Sequence, residues 1–273
     1  MHTTSPEFDM TVKDYFGLPN DPSGDVYGIE MEVEQVYEIV NFPKHCLKVV
    51  EDHSLRCNGM EFISKPVLLD EVVEFFVDTL TSEEIKWFEK DKRCSERGSV
   101  HVHVNVKHFS VAQLRKFLRF YCILEPEFFS FVNESRRNNI YCVPLSATQM
   151  PKYIQRLSTL NAIVENWHKY TAVNVKCLNE LGTVEFRHLE ATEDVGKFEL
   201  WLSFIHQLKE ATKTFPDNLS WDNIHSLHYF VFSKPMEQVE DIKTSYQEDL
   251  INRLNISPKM LAERIKESKR CVA

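Results

Sequence analysis

The sequence lacks the segments that mark membrane proteins, secreted precursors and disordered chains. Its 273 residues contain no apolar run close to the roughly 20 residues that cross a bilayer. The N-terminal MHTTSPEFDM has neither the basic region nor the apolar region of a signal peptide. A composition of 43% hydrophobic and 27% charged residues is ordinary for a globular protein. We therefore expect a cytoplasmic protein with one large core, or with one core plus a small appendage.

The cysteine pattern is not that of a disulfide scaffold or a zinc site. The sequence has seven cysteines, an odd number, and no two of them form a CxxC pair. Structural disulfides come in even sets, and zinc-binding cysteines usually come in close pairs. We expect reduced thiols, most of them packed as small apolar groups.

Repeats, low-complexity segments and clear linkers are also missing, and the chain has only seven glycines. A mild boundary near Pro216-Asp217-Asn218 predicts a main domain over residues 1–215 and a helical extension over 216–273, packed on it. The net charge of −9 argues against a broad basic surface for nucleic acid. It does not exclude an anionic ligand, because metal ions or arginines can hold phosphate locally.

Helices are predicted from apolar periodicity and from capping residues. An apolar stripe predicts a helix over 68–80. Thr81–Glu84 and Ser110–Gln113 both have the form of a capping box, and the second predicts a helix from Ser110 to about Leu124. A further helix is expected from Asp194 to about Lys213.

Two details of these helices can be checked separately. In the helix from Asp194, the residues expected to face inward are Leu200, Trp201, Phe204 and Leu208. Near the C-terminus, Ser257-Pro258 has the form of a helix start, with the hydroxyl as cap and proline at the first position.

Three segments alternate strictly between apolar and polar residues, which predicts strands with one buried and one polar face. They are Gly28–Glu34, Val100–Val106 and Thr183–His188. In each, the valines, isoleucine, methionine or phenylalanine would pack under helices. The opposite face would then carry carboxylates, imidazoles and a guanidinium.

The first strand carries a row of three glutamates on its polar face, Glu30, Glu32 and Glu34. Residues two apart on a strand lie about 6.6–7 Å from each other on one face. Such a row of like charge is costly unless water screens it or a cation binds between the acids. The alternative is an exposed edge strand whose acids discourage aggregation.

The other two strands favour a site. His101 and His103 lie on one face of the second strand, followed by Asn105, and paired histidines beside an acid row are more often functional than structural. Glu185 and Arg187 share a face of the third strand, where the alternative is an ordinary ion pair. Acids, histidines and an arginine that converge on one surface are suited to phosphoryl transfer with metal ions.

At this point the ordered motifs resemble a known family. They are G-I-E-M-E (28–32), D-H-S-L (52–55), G-M-E-F (59–62), G-S-V-H-V-H-V (98–104), S-R-R-N-N-I-Y-C-V-P-L (135–145), K-Y-T-A-V-N (169–174) and T-V-E-F-R (183–187). Together with E-A-T-E-D (190–194) this set resembles the amidoligase family, within the glutamine synthetase and glutamate–cysteine ligase superfamily. The resemblance covers roughly residues 26–215. Its departures, His53, Ala191 and the separation of Cys94 from Gly98, remove no ligand.

The resemblance implies a fold and a reaction. The fold would be α+β and glutamine synthetase-like: a mainly antiparallel sheet forming a partial barrel, with helices on its outer face and a helical C-terminal part. The activity would be an ATP- and Mg²⁺- (or Mn²⁺-) dependent amide-forming ligase. Phosphoryl transfer from ATP would turn a carboxylate into an acyl phosphate, which an amine then attacks.

It also implies roles for individual residues. The metal ligands would be Glu30, Glu32, Glu61, His101 and Glu185. His103 would contact phosphate, and Arg187 would stabilise the transferring phosphoryl group, so that Arg187, Glu185 and His103 form the catalytic set.

Some roles stay open at this stage. Arg136 and Arg137 are candidates for binding nucleotide phosphate or a substrate carboxylate, or they form a basic helix end. Glu34 is one possible general base for the amine, but it could equally face solvent. His225 and His228 are expected to be structural or exposed.

Three other functions remain as alternatives: a catalytically inactive nucleotide- or metal-binding module, a metal-dependent hydrolase or nuclease, and a glutamate–cysteine ligase proper. The expected partners are small-molecule or peptide carboxylates and amines, without a membrane or a broad nucleic-acid surface. An oligomer with active sites between subunits is possible on the same resemblance.

Overall fold

The alternating segments form the strands of a six-stranded sheet in which every pair of neighbours is antiparallel. The computed structural model describes residues 9–20, 25–155, 159–217 and 220–233. The strands of the sheet are β1 (Tyr27–Val33), β3 (Cys46–Glu51), β4 (Met60–Ser64), β6 (Ser99–Asn105), β7 (Val173–Asn174) and β8 (Thr183–Glu190). A separate pair consists of β2 (Val36–Ile39) and β5 (Ile85–Trp87).

The strand order across the sheet is β3-β4-β1-β6-β8-β7. The strands β3 and β7 are therefore its two edges, and the described strands do not close into a barrel. Since β1 pairs with both β4 and β6, it is not an edge strand, and the interpretation of its glutamates as exposed edge charges is wrong.

Seven α-helices are described: α1 (Val12–Phe16), α2 (Leu69–Thr81), α3 (Val111–Phe131), α4 (Met150–Gln155), α5 (Leu160–Asn166), α6 (Val195–Thr214) and α7 (Trp221–Phe232). The expected α+β composition, with an antiparallel sheet and helices in the C-terminal part, is confirmed. Within the described ranges, no helix is long and apolar enough to cross a membrane.

The core lies between one face of the sheet and the helices α2, α3 and α6. Apolar residues of β1, β6 and β8 alternate toward this side and are almost completely buried, among them Ile29, Met31, Val102 and Phe186. Aromatic rings join the layers: Phe186 contacts Phe117 of α3 at a centroid distance of 6.0 Å. The helices therefore cover one face and leave the polar face for a site.

The predicted helices correspond to α2, α3 and α6. Ser110 caps α3 with a reciprocal capping box, because its hydroxyl accepts from Gln113 N and the Gln113 side chain accepts from Ser110 N. This helix continues beyond Leu124 to Phe131 and contains Pro126. Asp194 caps α6 as expected.

Two details were predicted wrongly. Leu200 is 53% exposed on α6, whereas Trp201 and Leu208 of the same helix are buried. Thr81–Glu84 does not begin a helix: α2 ends at Thr81, whose hydroxyl donates back to Val77 O, and Ser82 stabilises a turn by accepting from Glu84 N. The chain then enters β5, because pairing with β2 outweighs the local capping signal.

The C-terminal part is described only in α7, which packs against α6. Residues 234–273, including Ser257-Pro258, lie outside the described residues, so the proposed division at residue 216 stays a prediction. The described cysteines are all free thiols, as expected.

Candidate active site

The polar face of the sheet collects side chains from four adjacent strands. In the strand register, Glu32 of β1 lies opposite Glu61 of β4, and Glu30 lies opposite His101 of β6. On the far side of β6, His103 lies opposite Glu185 of β8. The antiparallel pairing thus brings together residues that are up to 155 positions apart in the chain.

His101 lies at the centre of this group and is almost fully buried. Its Nδ1 atom is 3.1 Å from Glu30 Oε2 and 3.4 Å from Glu185 Oε1. Its Nε2 atom is 2.8 Å from Ser99 Oγ and 3.8 Å from Glu32 Oε1. The ring nitrogens of one imidazole therefore lie within 4 Å of three carboxylates.

Two overlapping sets of side chains have the spacing of metal ligands. In each set, one ligand atom per residue lies within 4.8 Å of the others. The sets are Glu30, His101 and Glu185, and Glu32, Glu61 and His101. Carboxylate oxygens together with one imidazole suit magnesium or manganese, of which manganese accepts nitrogen more readily.

The charges of these side chains are not balanced by the protein. Burial, followed by the charges of Glu30 and Glu32, raises the pKa of Glu61 to about 8. Burial also opposes ionisation of Glu30, but hydrogen bonds from His101 and His103 prevail and lower its pKa. Histidine side chains thus contact Glu30, whereas Glu61 faces like charges, which fits a site built for an added cation.

His103 lies beside this group and is also buried. Its Nε2 atom is 3.1 Å from Glu30 Oε1, and its Nδ1 atom is 3.1 Å from Thr183 Oγ1. Burial lowers the pKa of His103, but hydrogen bonds to Cys177 and Glu30 outweigh it and raise the pKa well above the ordinary value. A cationic His103 would attract an anionic ligand.

Ser99 is a site residue that sequence reasoning missed. Its backbone N–H and its hydroxyl both donate to Glu32 Oε2, at 2.8 and 2.6 Å. The preceding Gly98 makes this possible, because a Cβ there would lie 2.8 Å from the Glu32 carbonyl oxygen. The sequence signal that could have identified Ser99 is its spacing, because it lies two residues before His101 and therefore on the same strand face.

Asn174 was missed as well. Its side-chain amide donates to Glu185 Oε2 at 2.7 Å from the edge strand β7. It ends the K-Y-T-A-V-N motif, but nothing in the sequence alone shows that β7 pairs with β8.

A β-bulge places Arg187 at the mouth of the site. Val102 pairs with Phe186 and Val100 with Leu189, so β8 has an extra residue at this point. Bulges redirect side chains and are common beside active sites. Arg187 donates to the Glu185 carboxylate and, at 3.0 Å, to the Tyr141 carbonyl oxygen.

The other arginines and Glu34 lie in different environments. Arg136 is buried and donates to the carbonyl oxygens of His188 and Arg187, at 3.0 and 2.7 Å, so it supports the bulge. Arg137 is exposed and donates to the Phe129 carbonyl oxygen. Glu34 is buried and accepts from Arg56 N at 2.8 Å, so it does not face solvent.

Two clefts open on either side of the acid–histidine group. The first, here called the arginine cleft, has a volume of about 860 Å³. Its walls include Arg97, Arg187, Asp52, Glu96 and Tyr141, and Glu32 and Ser99 lie at its base.

The second, here called the apolar cleft, has a volume of about 400 Å³ and ends at Glu30 and His103. Its apolar wall includes Leu47, Ile63 and Leu181, and Lys48, Lys107 and Glu180 also line it. The two clefts therefore reach the acid–histidine group at different carboxylates, Glu32 in the arginine cleft and Glu30 in the apolar cleft, and differ in chemistry.

Comparison with protein families gives one match. A family model described as "Putative amidoligase enzyme" matches residues 47–209, more than half of the chain. A search of curated proteins found no match. The matched span contains Glu61, His101 and Glu185 but not β1, so Glu30 and Glu32 join the group through the pairing of β1 with the matched strands β4 and β6.

Proposed function

Since the chain belongs to this amidoligase family, we propose that it is an ATP- and magnesium- or manganese-dependent ligase that joins a carboxylate to an amine. The observation that carries the proposal is the partly buried group of four glutamates around His101 (Glu30, Glu32, Glu61 and Glu185), whose carboxylates outnumber the cationic side chains that contact them. Such a group fits bound divalent cations, which in turn hold phosphate oxygens.

Two cation positions follow from the two ligand sets. Glu30, His101 and Glu185 would hold one cation toward the apolar cleft, and Glu32 and Glu61 a second toward the arginine cleft. When bound, these ions neutralise phosphate charge and polarise the transferring phosphoryl group. Ser99 and Asn174 keep Glu32 and Glu185 oriented by donating to one oxygen of each carboxylate.

The apolar cleft is the better site for the nucleotide. A nucleobase is flat and largely apolar, and Leu47, Ile63 and Leu181 offer it a matching slot. Phosphates extending from that slot would reach His103, which hydrogen bonds keep cationic, and the first cation position.

The arginine cleft is the better site for the carboxylate substrate. Arg97 and Arg187 lie on its wall, and guanidinium groups bind carboxylates with paired hydrogen bonds. A carboxylate held near Arg187 would lie beside the acid group on the side opposite the nucleotide. Its oxygen could then accept the γ-phosphoryl group, with ADP leaving toward the apolar cleft.

The amine completes the reaction. Its nitrogen attacks the acyl phosphate carbon, an amide bond forms, inorganic phosphate leaves, and the nitrogen loses a proton to a base. Asp52 and Glu96 lie on the arginine-cleft wall, where an incoming ammonium ion would meet them. They are better placed for this proton than Glu34, whose carboxylate is buried against Arg56 N.

We extend the proposal to the fold and the partners. The antiparallel sheet with a polar face between two clefts is consistent with a glutamine synthetase-like domain. Residues 1–215 would form it, and residues 216–273 would pack on it. The substrates would be small-molecule or peptide carboxylates and amines in the cytoplasm.

The first test measures ADP formation from Mg²⁺–ATP with pooled amino acids, polyamines and dicarboxylates. The wild type is compared with Glu32→Ala and with Glu38→Ala, which removes an exposed glutamate of the neighbouring strand β2. ADP formation that requires the pool and is lost only in Glu32→Ala supports the ligase. ADP formation that is independent of the pool indicates a hydrolase instead.

Nucleotide binding tests the assignment of the clefts. Fluorescent mant-ATP with Mg²⁺ should bind the wild type, and Leu181→Glu should weaken binding at least tenfold by placing a charge in the apolar slot. Arg97→Ala, on the other cleft, should leave the affinity unchanged. The opposite pattern would reverse the assignment, and no binding by the wild type would reject the ATP-dependent function.

A further inference from the structure

A second cluster of metal-binding side chains lies away from the acid–histidine group. It consists of Asp25, just before β1, and of His206 and Glu210, one turn apart on α6. One ligand atom from each residue lies within 4.8 Å of the others, and all three residues are partly exposed. The cluster joins the start of β1 to the helix that covers the apolar face of the sheet.

The histidine of this cluster is oriented by a buried tyrosine. The Tyr27 hydroxyl is 2.8 Å from His206 Nδ1, and Tyr27 itself is only 2% exposed. In the tautomer in which His206 Nδ1–H donates to the tyrosine oxygen, this hydrogen bond fixes the imidazole and leaves Nε2 as the ligand atom. Residues four apart on a helix share a face, so His206 and Glu210 present their side chains together.

The carboxylates of the cluster also have lysine partners. Lys209 donates to Asp25 Oδ1, and Lys213 donates to Glu210 Oε1 at 2.6 Å. Each ion pair uses one oxygen, and the second oxygen of each carboxylate can bind a cation. Because the two lysines balance the two acids, a cation should bind here more weakly than at the acid–histidine group.

We propose that Asp25, His206 and Glu210 form a second divalent-cation site, for a first-row metal ion that accepts one imidazole and two carboxylates, such as Mn²⁺. This ligand set matches the preference of manganese for oxygen and imidazole together. The bound ion links α6 to the start of β1, the strand that carries Glu30 and Glu32. Its effect is on the stability of the fold, and it does not depend on the proposed ligase function.

The test counts Mn²⁺ by electron paramagnetic resonance of the free ion during titration of the full-length protein. Manganese is chosen because the free thiols of the chain would compete for Zn²⁺. His206→Gln should bind one Mn²⁺ fewer than the wild type. The matched control is His225→Gln, on α7 outside the cluster, which should bind the wild-type number.

Two further variants make the result decisive. Glu210→Gln, on the helix surface, should lose the same Mn²⁺ and guards against a folding defect in His206→Gln. Lys213→Gln should raise the affinity of the second site for Mn²⁺ at least threefold, because the substitution removes the ammonium group that competes for Glu210. Unchanged Mn²⁺ numbers in both His206→Gln and Glu210→Gln would overturn the proposal and leave the cluster as an ion-pair network.

Discussion

The two faces of the central sheet both bury ionisable groups, but they treat them differently. On the helix side, His188 lies among Tyr121, Phe129 and Trp201. The Tyr121 hydroxyl lies 2.7 Å from His188 Nε2 and 2.9 Å from Glu125 Oε1.

The carboxylate of Glu125 also accepts from the backbone N–H groups of Leu145 and Ser146, at 2.6 and 2.9 Å. The described protein therefore supplies nearly every partner that this network requires. Such a network anchors the turn after Pro144 onto α3 and has no need of a ligand.

On the polar face, the partners are insufficient. Three basic side chains, His101, His103 and Arg187, lie among the four carboxylates of Glu30, Glu32, Glu61 and Glu185. Repulsion from Glu30 and Glu32 contributes to the raised pKa of Glu61. The comparison teaches that burial of a charged group does not by itself indicate function. A buried excess of one charge sign, next to two clefts, does.

The largest effect on activity is expected from a substitution that removes a charge from the polar face without disturbing the fold. Glu32→Gln keeps the size and hydrogen-bonding oxygen of the side chain but removes a cation ligand. We expect ligase activity to fall about 10²- to 10³-fold, the range for a lost electrostatic contact to the reacting groups. The free energy of unfolding should stay within about 1 kcal/mol of the wild type, because repulsion with Glu61 is relieved.

Activity and urea denaturation, measured on the same preparations, check this expectation. Glu38→Gln on β2 is the matched control and should change neither quantity. A Glu32→Gln protein that retains activity, or one that loses several kcal/mol of stability, would remove the contrast between the faces.

The opposite pattern is expected on the helix side. Phe186 alternates with Glu185 on β8, is completely buried and contacts the rings of Phe117 and Tyr121. Phe186→Ala should lower the free energy of unfolding by about 3–5 kcal/mol through lost contacts and a cavity. Urea denaturation measures it, and a loss below about 1 kcal/mol would show that the core is not packed as described.

A smaller effect should follow from His188 as the pH falls. Burial, followed by the charge of Arg136, lowers the pKa of His188 well below its ordinary value of 6.5. Below pH 6.5 the unfolded chain then binds a proton that the folded protein does not. The free energy of unfolding should therefore decrease as the pH falls, by up to about 1.4 kcal/mol per pH unit from this residue.

The measurement compares urea denaturation of the wild type and His188→Gln between pH 7 and 5.5. Glutamine does not titrate, so the variant should lack this part of the pH dependence. Parallel pH profiles would mean that His188 becomes protonated in the folded protein, or that it is exposed there.

Strict alternation explains why so much of the polar face could be predicted from the sequence. On a strand, the side-chain direction follows from position alone, so Glu30, Glu32, His101, His103, Glu185 and Arg187 were all assigned to polar faces before any pairing was known. That the strands are neighbours rested on the family resemblance, because register depends on contacts between distant segments.

Residues whose roles depend on tertiary contacts were not predictable in this way. Ser99 depends on the close approach at Gly98, Asn174 on a two-residue edge strand, and Arg136 on the bulge in β8. The network of His188, Tyr121 and Glu125 was missed because each residue is polar within an apolar pattern. The capping-box pattern at Thr81–Glu84 also gave a wrong prediction, because the pairing of β5 with β2 determines the structure there.

Leu200 provides the smallest expected effect and tests the limit of periodicity. It neighbours Trp201 on α6, and two consecutive residues lie about 100° apart on a helix, so only the wide apolar face of a helix could bury both. The structure buries Trp201 and leaves Leu200 53% exposed. Leu200→Ala should therefore change the free energy of unfolding by no more than about 0.5 kcal/mol, whereas Trp201→Ala should cost about 3–5 kcal/mol. A loss above 1 kcal/mol for Leu200→Ala that grows with protein concentration would instead show that a second copy covers this side of α6, because only association makes stability depend on concentration.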